Sequence, residues 1–331
     1  MKRRHLLSAS GATAIAAVLA GAASPALAQA WPARPIRLVV PFPAGGPTDS
    51  FARLYAAALA QQLGQSVVVE NKAGAGGALG TLEVKRSAPD GYTLLFGTAS
   101  THALYNLIQP AAQYDALEDF AYVAVLGGAP VVFVVNISMP RSLKTVAIAS
   151  KASPGKYNYG SPGSGTLLHV AMERLKQVTG AQITHIPYKG AAPALQDMMG
   201  GNIEMTVDTL GSALPQHQAG RVRIVAVASA KRALTAPDIP TVAESAELPQ
   251  AFEAMLWNVV TAPKGTPEPI LRQLADASQK AMSDPALRSK LESQAMFADL
   301  HVGQTAAKAF VKAEQAKWKP IIATLGDLSK G

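Results

Sequence analysis

Short apolar runs alternate with amphipathic segments along most of the chain. Ile36 to Val40 is such a run, rich in β-branched residues, and the residues from Phe51 to Leu63 repeat apolar positions at helical spacing. The order returns in the second half, where Val131 to Asn136 predicts a strand and Leu167 to Thr179 predicts a helix. Apolar strands that alternate with helices are typical of parallel sheets covered on both faces. The pattern therefore predicts an α/β fold.

The carboxyl-terminal part has a different pattern. Pro267 to Phe297 and Thr305 to Leu325 carry long amphipathic repeats, and each predicts one long helix. A mature chain of about 300 residues has room for two domains with ordinary cores. We therefore predict two lobes, each a mainly parallel sheet with flanking helices, and a ligand cleft between them.

Loops that follow the predicted strands are rich in glycine, serine and threonine in both halves. Ligands of α/β proteins bind beyond the carboxyl ends of parallel strands, where helix N-termini point into the crevice. Glycine lets backbone N–H groups approach a ligand, and threonine and serine supply hydroxyls. The candidate ligand-binding residues are Phe42, Ala44, Gly45, Gly46, Thr48, Asp49, Thr98, Ser100, Ser161, Gly163, Ser164, Gly165, Thr166 and Asp208.

The same residue types also serve purely structural roles. Glycine, serine and threonine are ordinary turn and helix-cap residues, and each loop taken singly is equally consistent with that role. Asp208 ends a predicted strand, so its carboxylate either meets a cationic group of a ligand or caps the following helix. Arg53 is expected to brace its loop or to face solvent. Since no arginine lies inside the loops, we expect backbone amides, hydroxyls and water to hold an anionic ligand.

The N-terminus has the pattern of an export signal. Lys2, Arg3 and Arg4 precede an apolar stretch, and Ala26 and Ala28 have the small side chains that a signal peptidase accepts. We therefore predict cleavage after Ala28 and a periplasmic location. The paired arginines leave the Sec and twin-arginine routes both open. An uncleaved membrane anchor is the alternative, although the stretch is near the lower length limit for a span.

Composition excludes several classes of function. The chain has no cysteine, which rules out disulfides, thiolate catalysis and thiolate metal sites. Cleavage of the signal removes three positive charges from the net charge of +8 and leaves +5. The remaining basic residues are scattered, so nucleic acid is not an expected partner. The histidines show no metal-ligand spacing, and no metal or cofactor is expected.

Two enzyme motifs are matched only in part. Gly163-Ser164-Gly165 lacks the spacing of a hydrolase nucleophile elbow. The stretch from Gly74 to Leu79 follows a strand but lacks the last glycine of a dinucleotide-binding motif. We therefore expect a protein that is not an enzyme, with an exported hydrolase or oxidoreductase as a weaker alternative.

Six short motifs follow one another along the chain: Val39 to Asp49, Glu70 to Gly77, Pro89 to Leu95, His185 to Gly190, Pro237 to Glu244 and Ala262 to Pro267. Each motif alone is weak, but the ordered set covers essentially the whole mature chain. The set resembles the Bug family of periplasmic solute-binding proteins, the receptors of tripartite tricarboxylate transporters.

The resemblance implies a type II periplasmic-binding fold with a discontinuous first lobe. That lobe would comprise residues 29–129 and 251–331, after a signal peptide of residues 1–28, and the second lobe residues 130–250. In the family, the first loop holds a ligand carboxylate through backbone amides and bridging waters, and a Ser/Gly/Thr loop of the second lobe grips the other end.

The resemblance also implies a ligand and partners. The ligand would be a small organic acid: a di- or tricarboxylate, an amino acid, or an aromatic acid such as terephthalate. The partners would be membrane subunits of a tripartite tricarboxylate transporter, and we expect the receptor to be a monomer. A ligand-sensing partner of a membrane sensor kinase is the alternative that the sequence leaves open.

Overall fold

The computed structural model of the protein describes residues 31–329. The predicted signal peptide, residues 1–28, lies outside the described residues, and its cleavage stays a prediction. Within residues 31–329, no helix is both long and apolar enough to cross a membrane.

Strands and helices alternate through the described chain. The strands are β1 Ile36–Val40, β2 Val67–Asn71, β3 Thr93–Thr98, β4 Phe120–Asn136, β5 Asn158–Ser161, β6 Thr184–Pro187, β7 Met205–Thr209, β8 Val222–Val227, β9 Met255–Pro263 and β10 Phe297–Val302. The helices are α1 Pro47–Leu63, α2 Ala78–Lys85, α3 Tyr105–Ile108, α4 Leu143–Ala152, α5 Leu167–Thr179, α6 Ala191–Met199, α7 Leu210–Gln218, α8 Val242–Ala246, α9 Glu268–Ser283, α10 Pro285–Ser293 and α11 Gln304–Ile322.

Two sheets share the long strand β4. The first sheet has the order β2-β1-β3-β9-β4, with β10 also paired to β4. In the second sheet β4 pairs with β7 and β8, and β7 is followed by β5 and β6. Residues 120–130 of β4 pair with β9, and residues 131–135 pair with β7. One buried strand therefore runs from the first lobe into the second.

Both sheets are mixed, where the sequence predicted mainly parallel ones. Strand β1 is parallel to β2 and β3, and β5 is parallel to β6 and β7, whereas every pairing of β4 and β9 is antiparallel. The reason is that the chain leaves the first lobe along β4 and returns along β9, so these two neighbours run in opposite directions. The predicted two-lobed α/β class is confirmed. The predicted lobe boundary at residue 129 falls inside β4, and the boundaries stay a prediction.

Of the two long helices predicted in the carboxyl-terminal part, the second is confirmed as α11 and the first was wrong. The first segment divides into α9 and α10, because Asp284 and Pro285 start a new helix in which the Asp284 side chain accepts from the Ala286 N–H at 2.9 Å. The segment then continues into β10, an edge strand whose register with β4 is irregular. The short sequence of β10 did not predict a strand. The first part of β4 and the whole of β9 were also absent from the sequence prediction.

The close pairing of β4 with β9 supplies a test of the fold. A Cβ added to Gly128 would lie 1.8 Å from the carbonyl oxygen of Leu256, which is backbone and cannot rotate away. We expect Gly128→Ala to lower the free energy of unfolding by about 1–3 kcal/mol, the usual cost of overpacking a filled site. Urea unfolding followed by circular dichroism measures this change.

Gly200→Ala is the matched control, since Gly200 has a φ of −73° and its neighbours lie at 3.5 Å or more from an added Cβ. We expect it to leave the unfolding free energy nearly unchanged. Equal destabilisation by both substitutions would contradict the close pairing of β4 and β9 at Gly128.

Candidate functional site

Asp49 braces the loop between β1 and α1. Its carboxylate accepts hydrogen bonds from the Gly45 N–H at 2.9 Å, from Arg53 Nε at 2.9 Å and from Asn71 Nδ2 at 2.9 Å. Asn71 Nδ2 also donates to the Phe42 carbonyl at 3.0 Å. Burial by itself would raise the pKa of Asp49, but the bonds from Arg53, Gly45 and Asn71 outweigh it and hold the pKa below its usual value. Asp49 therefore shapes the loop as an ionised group.

Helix α1 begins at this loop with its N-terminus open. Gly46 is the N-cap, and no side chain caps the first turn. Pro47 occupies the first helical position, where its missing N–H is no loss. Thr48 follows and is 4% exposed, and its hydroxyl has no hydrogen-bond partner in the part of the chain that the structure describes. The free N–H groups and the helix dipole make this end attractive to an anion.

Helix α6 of the second lobe begins in the same way. Its N-cap is Gly190, with a φ of 113°, and again no side chain caps the first turn. A Cβ added to Gly190 would lie 2.9 Å from Cγ of Pro43, so the two lobes touch here and glycine is needed both for its φ and for the space. The first turns of α1 and α6 therefore approach the same point from opposite lobes.

A cavity of about 60 Å³ lies between these two helix ends. We call it the inner cavity. Its walls are largely apolar and carry no charged side chain among the described lining residues. The lining residues are Phe42, Pro43, Ala44, Gly46, Pro47, Thr48, Ser100, Pro162, Thr166, Leu168, Gly190, Ala191, Ala192, Pro193 and Leu256.

A larger space of about 670 Å³, which we call the outer chamber, adjoins the inner cavity. Four residues line both spaces: Phe42, Pro43, Pro162 and Gly190. The other walls of the outer chamber come from the glycine-rich turn before α2, from Gly163 and Ser164, and from Tyr188 and Lys189. The two spaces therefore lie side by side, and we refer to them together as the cleft.

The structure places the predicted site residues in two groups. Those that line the cleft are Phe42, Ala44, Gly46, Thr48, Ser100, Gly163, Ser164 and Thr166. Those that do not line it are Gly45, Asp49, Thr98, Ser161, Gly165 and Asp208. Residues of the first group lie where they can contact a ligand. That they bind one stays a prediction.

Ser100 and Thr166 lie where the two lobes meet beside the inner cavity. Ser100 Oγ accepts from the Leu167 N–H of the second lobe at 3.0 Å. Thr166 caps α5, donates to the Gly163 carbonyl at 2.7 Å and accepts from the His169 N–H at 3.4 Å. The Thr166 hydrogen is therefore already used within its loop, whereas the Ser100 hydrogen is free to point into the cavity.

Two stacked histidines hold the second-lobe loop from behind. The rings of His169 and His185 lie 4.1 Å apart at an angle of 18°. His169 Nδ1 accepts from the Gly165 N–H at 3.0 Å, and His185 Nε2 lies 2.6 Å from Ser161 Oγ. Burial lowers the pKa of His169 to about 4 and that of His185 to about 3. Both rings are therefore neutral at neutral pH, as the Gly165 bond requires.

Asp208 lies fully buried at the end of β7. Its carboxylate accepts from the Thr209 N–H at 2.7 Å and from Ser212 Oγ at 2.8 Å, both at the start of α7. Burial raises the pKa of Asp208 to about 6. Asp208 therefore holds the junction of β7 and α7, but it is not the helix cap that the sequence left open, because the N-cap of α7 is Thr209 and no side chain caps its first turn. Contact of Asp208 with a ligand stays a prediction.

The turn at Gly190, Ala191, Ala192 and Pro193 was not among the predicted site residues. A signal was present, because this turn follows a strand, opens a helix and begins with glycine, as the first loop does. Leu168 and Leu256 were missed as well, and they gave no local signal, since an apolar residue that faces a cavity has the same pattern as one in the core.

Similarity to known proteins agrees with this geometry. Residues 51–327 match the family described as the tripartite tricarboxylate transporter family receptor. Protein BugT of Bordetella pertussis is 36% identical over 309 residues, which cover 93% of this chain and 94% of BugT.

Two solved structures superpose closely. The periplasmic binding protein BugD has a TM-score of 0.85 at 32% identity and covers 90% of this chain and 99% of its own. The protein Rpa4515 of Rhodopseudomonas palustris, solved with adipate, has a TM-score of 0.83 at 34% identity and covers 89% of this chain and 98% of its own.

The fold and the cleft define a two-lobed solute-binding protein. The chain belongs to the tripartite tricarboxylate transporter receptor family, which includes the Bug proteins, and the predicted family resemblance is confirmed. Members of this family are periplasmic solute-binding receptors and not enzymes, which also confirms the prediction that the protein is not an enzyme.

The role of Asp208 is tested by its pH dependence. A carboxyl whose pKa is higher in the folded state binds more protons than the unfolded chain between about pH 4 and pH 6. Its stabilising contribution is therefore present at low pH and lost as the pH rises through about 6. The parent should lose about 1.4 kcal/mol of unfolding free energy between pH 5 and pH 7.5 through this carboxyl, and Asp208→Asn should not show that loss.

Urea unfolding at the two pH values measures this difference, with Asp276→Asn on the exposed face of α9 as the control. The control should keep the parent's pH dependence. If Asp208→Asn also keeps the parent's pH dependence and instead loses affinity for the ligand, then Asp208 contacts the ligand and does not serve to hold the junction of β7 and α7.

Proposed function

We propose that this protein captures a small carboxylate between its lobes and delivers it to the membrane subunits of a tripartite tricarboxylate transporter. The observation that carries the proposal is the convergence of two uncapped helix N-termini, those of α1 and α6, on one small cavity. Oriented N–H groups and partial positive charge at both walls favour an anion of carboxylate size.

The ligand carboxylate lies against the first turn of α1. Thr48 donates its unpartnered hydroxyl, and the N–H groups between Gly46 and Asp49 donate directly or through water. The first turn of α6, at Ala191 and Ala192, approaches from the other lobe. Neither wall supplies a charged side chain, so binding does not require the desolvation of an arginine or lysine.

Closure of the lobes supplies the dry surroundings that strengthen these contacts. Micromolar affinity requires only about −8 kcal/mol, which a few charge-assisted hydrogen bonds and the burial of a short carbon chain provide. Pro162, Leu168 and Leu256 offer apolar surface for that chain. The adipate found in Rpa4515 supports a carboxylate ligand for this chain.

The remaining parts of the proposal concern export, location, oligomeric state and lobe bounds. The protein is exported through its N-terminal signal, acts in the periplasm as a monomer, and has lobes bounded near residues 129 and 251. The family match supports delivery to a tripartite transporter.

A screen of organic acids tests the function. We expect at least one dicarboxylic, tricarboxylic, amino or aromatic acid to raise the melting temperature of the purified mature protein in a concentration-dependent way. If none of these acids does so at millimolar concentration, the carboxylate proposal is wrong.

Thr48→Val then tests the site. We expect affinity for the stabilising acid to fall by about tenfold, since one hydrogen bond to a charged group is lost. The stability of the free protein should hardly change, because the Thr48 hydroxyl has no partner to lose. Isothermal titration calorimetry measures the affinity. Thr305→Val, in the exposed first turn of α11, is the control and should bind normally. Normal binding by Thr48→Val would place the carboxylate elsewhere.

A further inference from the structure

The residues that follow α11 run from the first lobe to the second. Helix α11 packs against β10 and α3 of the first lobe and ends at Ile322. Residues 323–329, which we call the tail, continue beyond it without forming a helix or a strand. The carbonyl of Thr324 accepts a hydrogen bond from Nε2 of Gln177 at 3.0 Å, and Gln177 lies in α5 of the second lobe. The tail therefore bridges the two lobes.

Leu328 anchors this tail. Its side chain is 4% exposed, although Gly326 and Asp327 before it are exposed. Leu328 belongs to the buried apolar cluster that also contains Ile108 of α3 and one face of α5. Asp327 fixes the turn that follows, because its carboxylate accepts hydrogen bonds from the N–H of Ser329 at 3.0 Å and from Ser329 Oγ at 2.5 Å. Burial of one leucine thus stabilises a single path for an otherwise irregular segment.

The tail meets the second-lobe loop at Gly165. This loop comprises residues 162–166, between β5 and α5. A Cβ added to Gly165 would lie 3.9 Å from the carbonyl oxygen of Leu328 and 3.6 Å from Cγ2 of Ile108. The N–H of Gly165 is held within its own lobe by His169 Nδ1 at 3.0 Å. Gly165 therefore lies between an acceptor of the second lobe and two contacts from the first lobe.

The two neighbours of Gly165 line the cleft. Ser164 lines the outer chamber, and Thr166 lines the inner cavity. Ser329 of the tail also lines the outer chamber. Because bond lengths and planar peptides fix the spacing of consecutive Cα atoms, a displacement of Gly165 moves Ser164 and Thr166 with it. The position of these two residues in the cleft thus depends on what holds Gly165.

We propose that the tail is a positioning element of the binding site, in which Leu328 holds the second-lobe loop in its ligand-binding place from the first lobe. This inference rests on the proposed carboxylate-binding function and extends it to residues outside the cleft. Contacts that bridge the lobes are lost when the lobes separate, so they favour the closed arrangement, as a ligand does. Docking of the tail and binding of the ligand therefore strengthen each other by the same factor.

Leu328→Ala tests this role by isothermal titration calorimetry, with succinate, adipate, citrate, glutamate and terephthalate as probes. For each acid that binds the parent, we expect the affinity to fall by about fivefold or more, the lower end of the usual coupling between linked sites. Stopped-flow measurement should show faster dissociation of the same acid. Leu234→Ala is the matched control, since Leu234 is 93% exposed in the loop between β8 and α8, and it should bind like the parent.

Gln177→Ala is a second variant that does not disturb the buried cluster. Gln177 is an exposed helical residue, so alanine is well tolerated there and the variant folds even if Leu328→Ala does not. It removes the side-chain bond to the Thr324 carbonyl. We expect a smaller loss of affinity, about twofold, the lower end of the range for one hydrogen bond.

Hydrogen exchange distinguishes positioning from a purely structural role. A tail that docks equally well with and without an acid would stabilise both forms alike and leave the affinity unchanged when it is weakened. In the parent, we expect a saturating acid to slow amide exchange in residues 323–329 by about the factor that Leu328→Ala costs in affinity, because the coupling is reciprocal. Mass spectrometry of peptides from this segment measures the exchange.

The outcomes separate this inference from the function on which it rests. If none of the five acids binds the parent, the proposed function fails and the positioning role fails with it. If acids bind but Leu328→Ala and Gln177→Ala keep the parent affinity, or the exchange of the tail does not respond to the acid, the positioning role alone is overturned. An equal loss of affinity in Leu234→Ala also overturns it, since that loss would not come from the tail.

Discussion

Two positive helix ends face each other across the cleft, and neither is capped by a side chain of its own. Both ends favour an anion placed between them. The loop before α1 and the turn before α6 are each held in place by a specific residue. Asp49 fixes the path of the first loop, and Gly190 permits contact with Pro43. In this account, an anionic ligand stabilises the closed arrangement of the lobes and thereby produces the form that a transporter recognises.

Rigid parts of the fold bring these ends together. Strand β4 belongs to both sheets, so each lobe is aligned by the same buried backbone. Behind the second-lobe loop, neutral His169 accepts from the Gly165 N–H and neutral His185 is hydrogen-bonded to the Ser161 hydroxyl, so the pair holds the loop without adding charge to it. The site is thus built from backbone and hydroxyl groups, while the ionised Asp49 and the buried Asp208 act within the walls.

The sequence predicted the strand-loop-helix order, the two-lobed class and the first loop, because apolar periodicity and glycine-rich turns are local signals. It did not predict β9, β10 or the first part of β4, whose pairing depends on strands far away in the chain. Asp49 and Asp208 were chosen for their position at loops, but a loop position does not show whether a carboxylate faces a cavity or the backbone behind it. The turn at Gly190 had a local signal, whereas Leu168 and Leu256 join the cavity only through tertiary packing.

The central claim is that a carboxylate lies between the first turns of α1 and α6. A crystal structure of the mature protein with an acid that stabilises it tests this most directly. We predict a carboxylate oxygen within about 3.2 Å of the Thr48 hydroxyl or of a backbone N–H in that first turn, directly or through one water, with the turn at Ala191 on its other side. A carboxylate bound outside the inner cavity, with both helix ends left to solvent, would contradict the account.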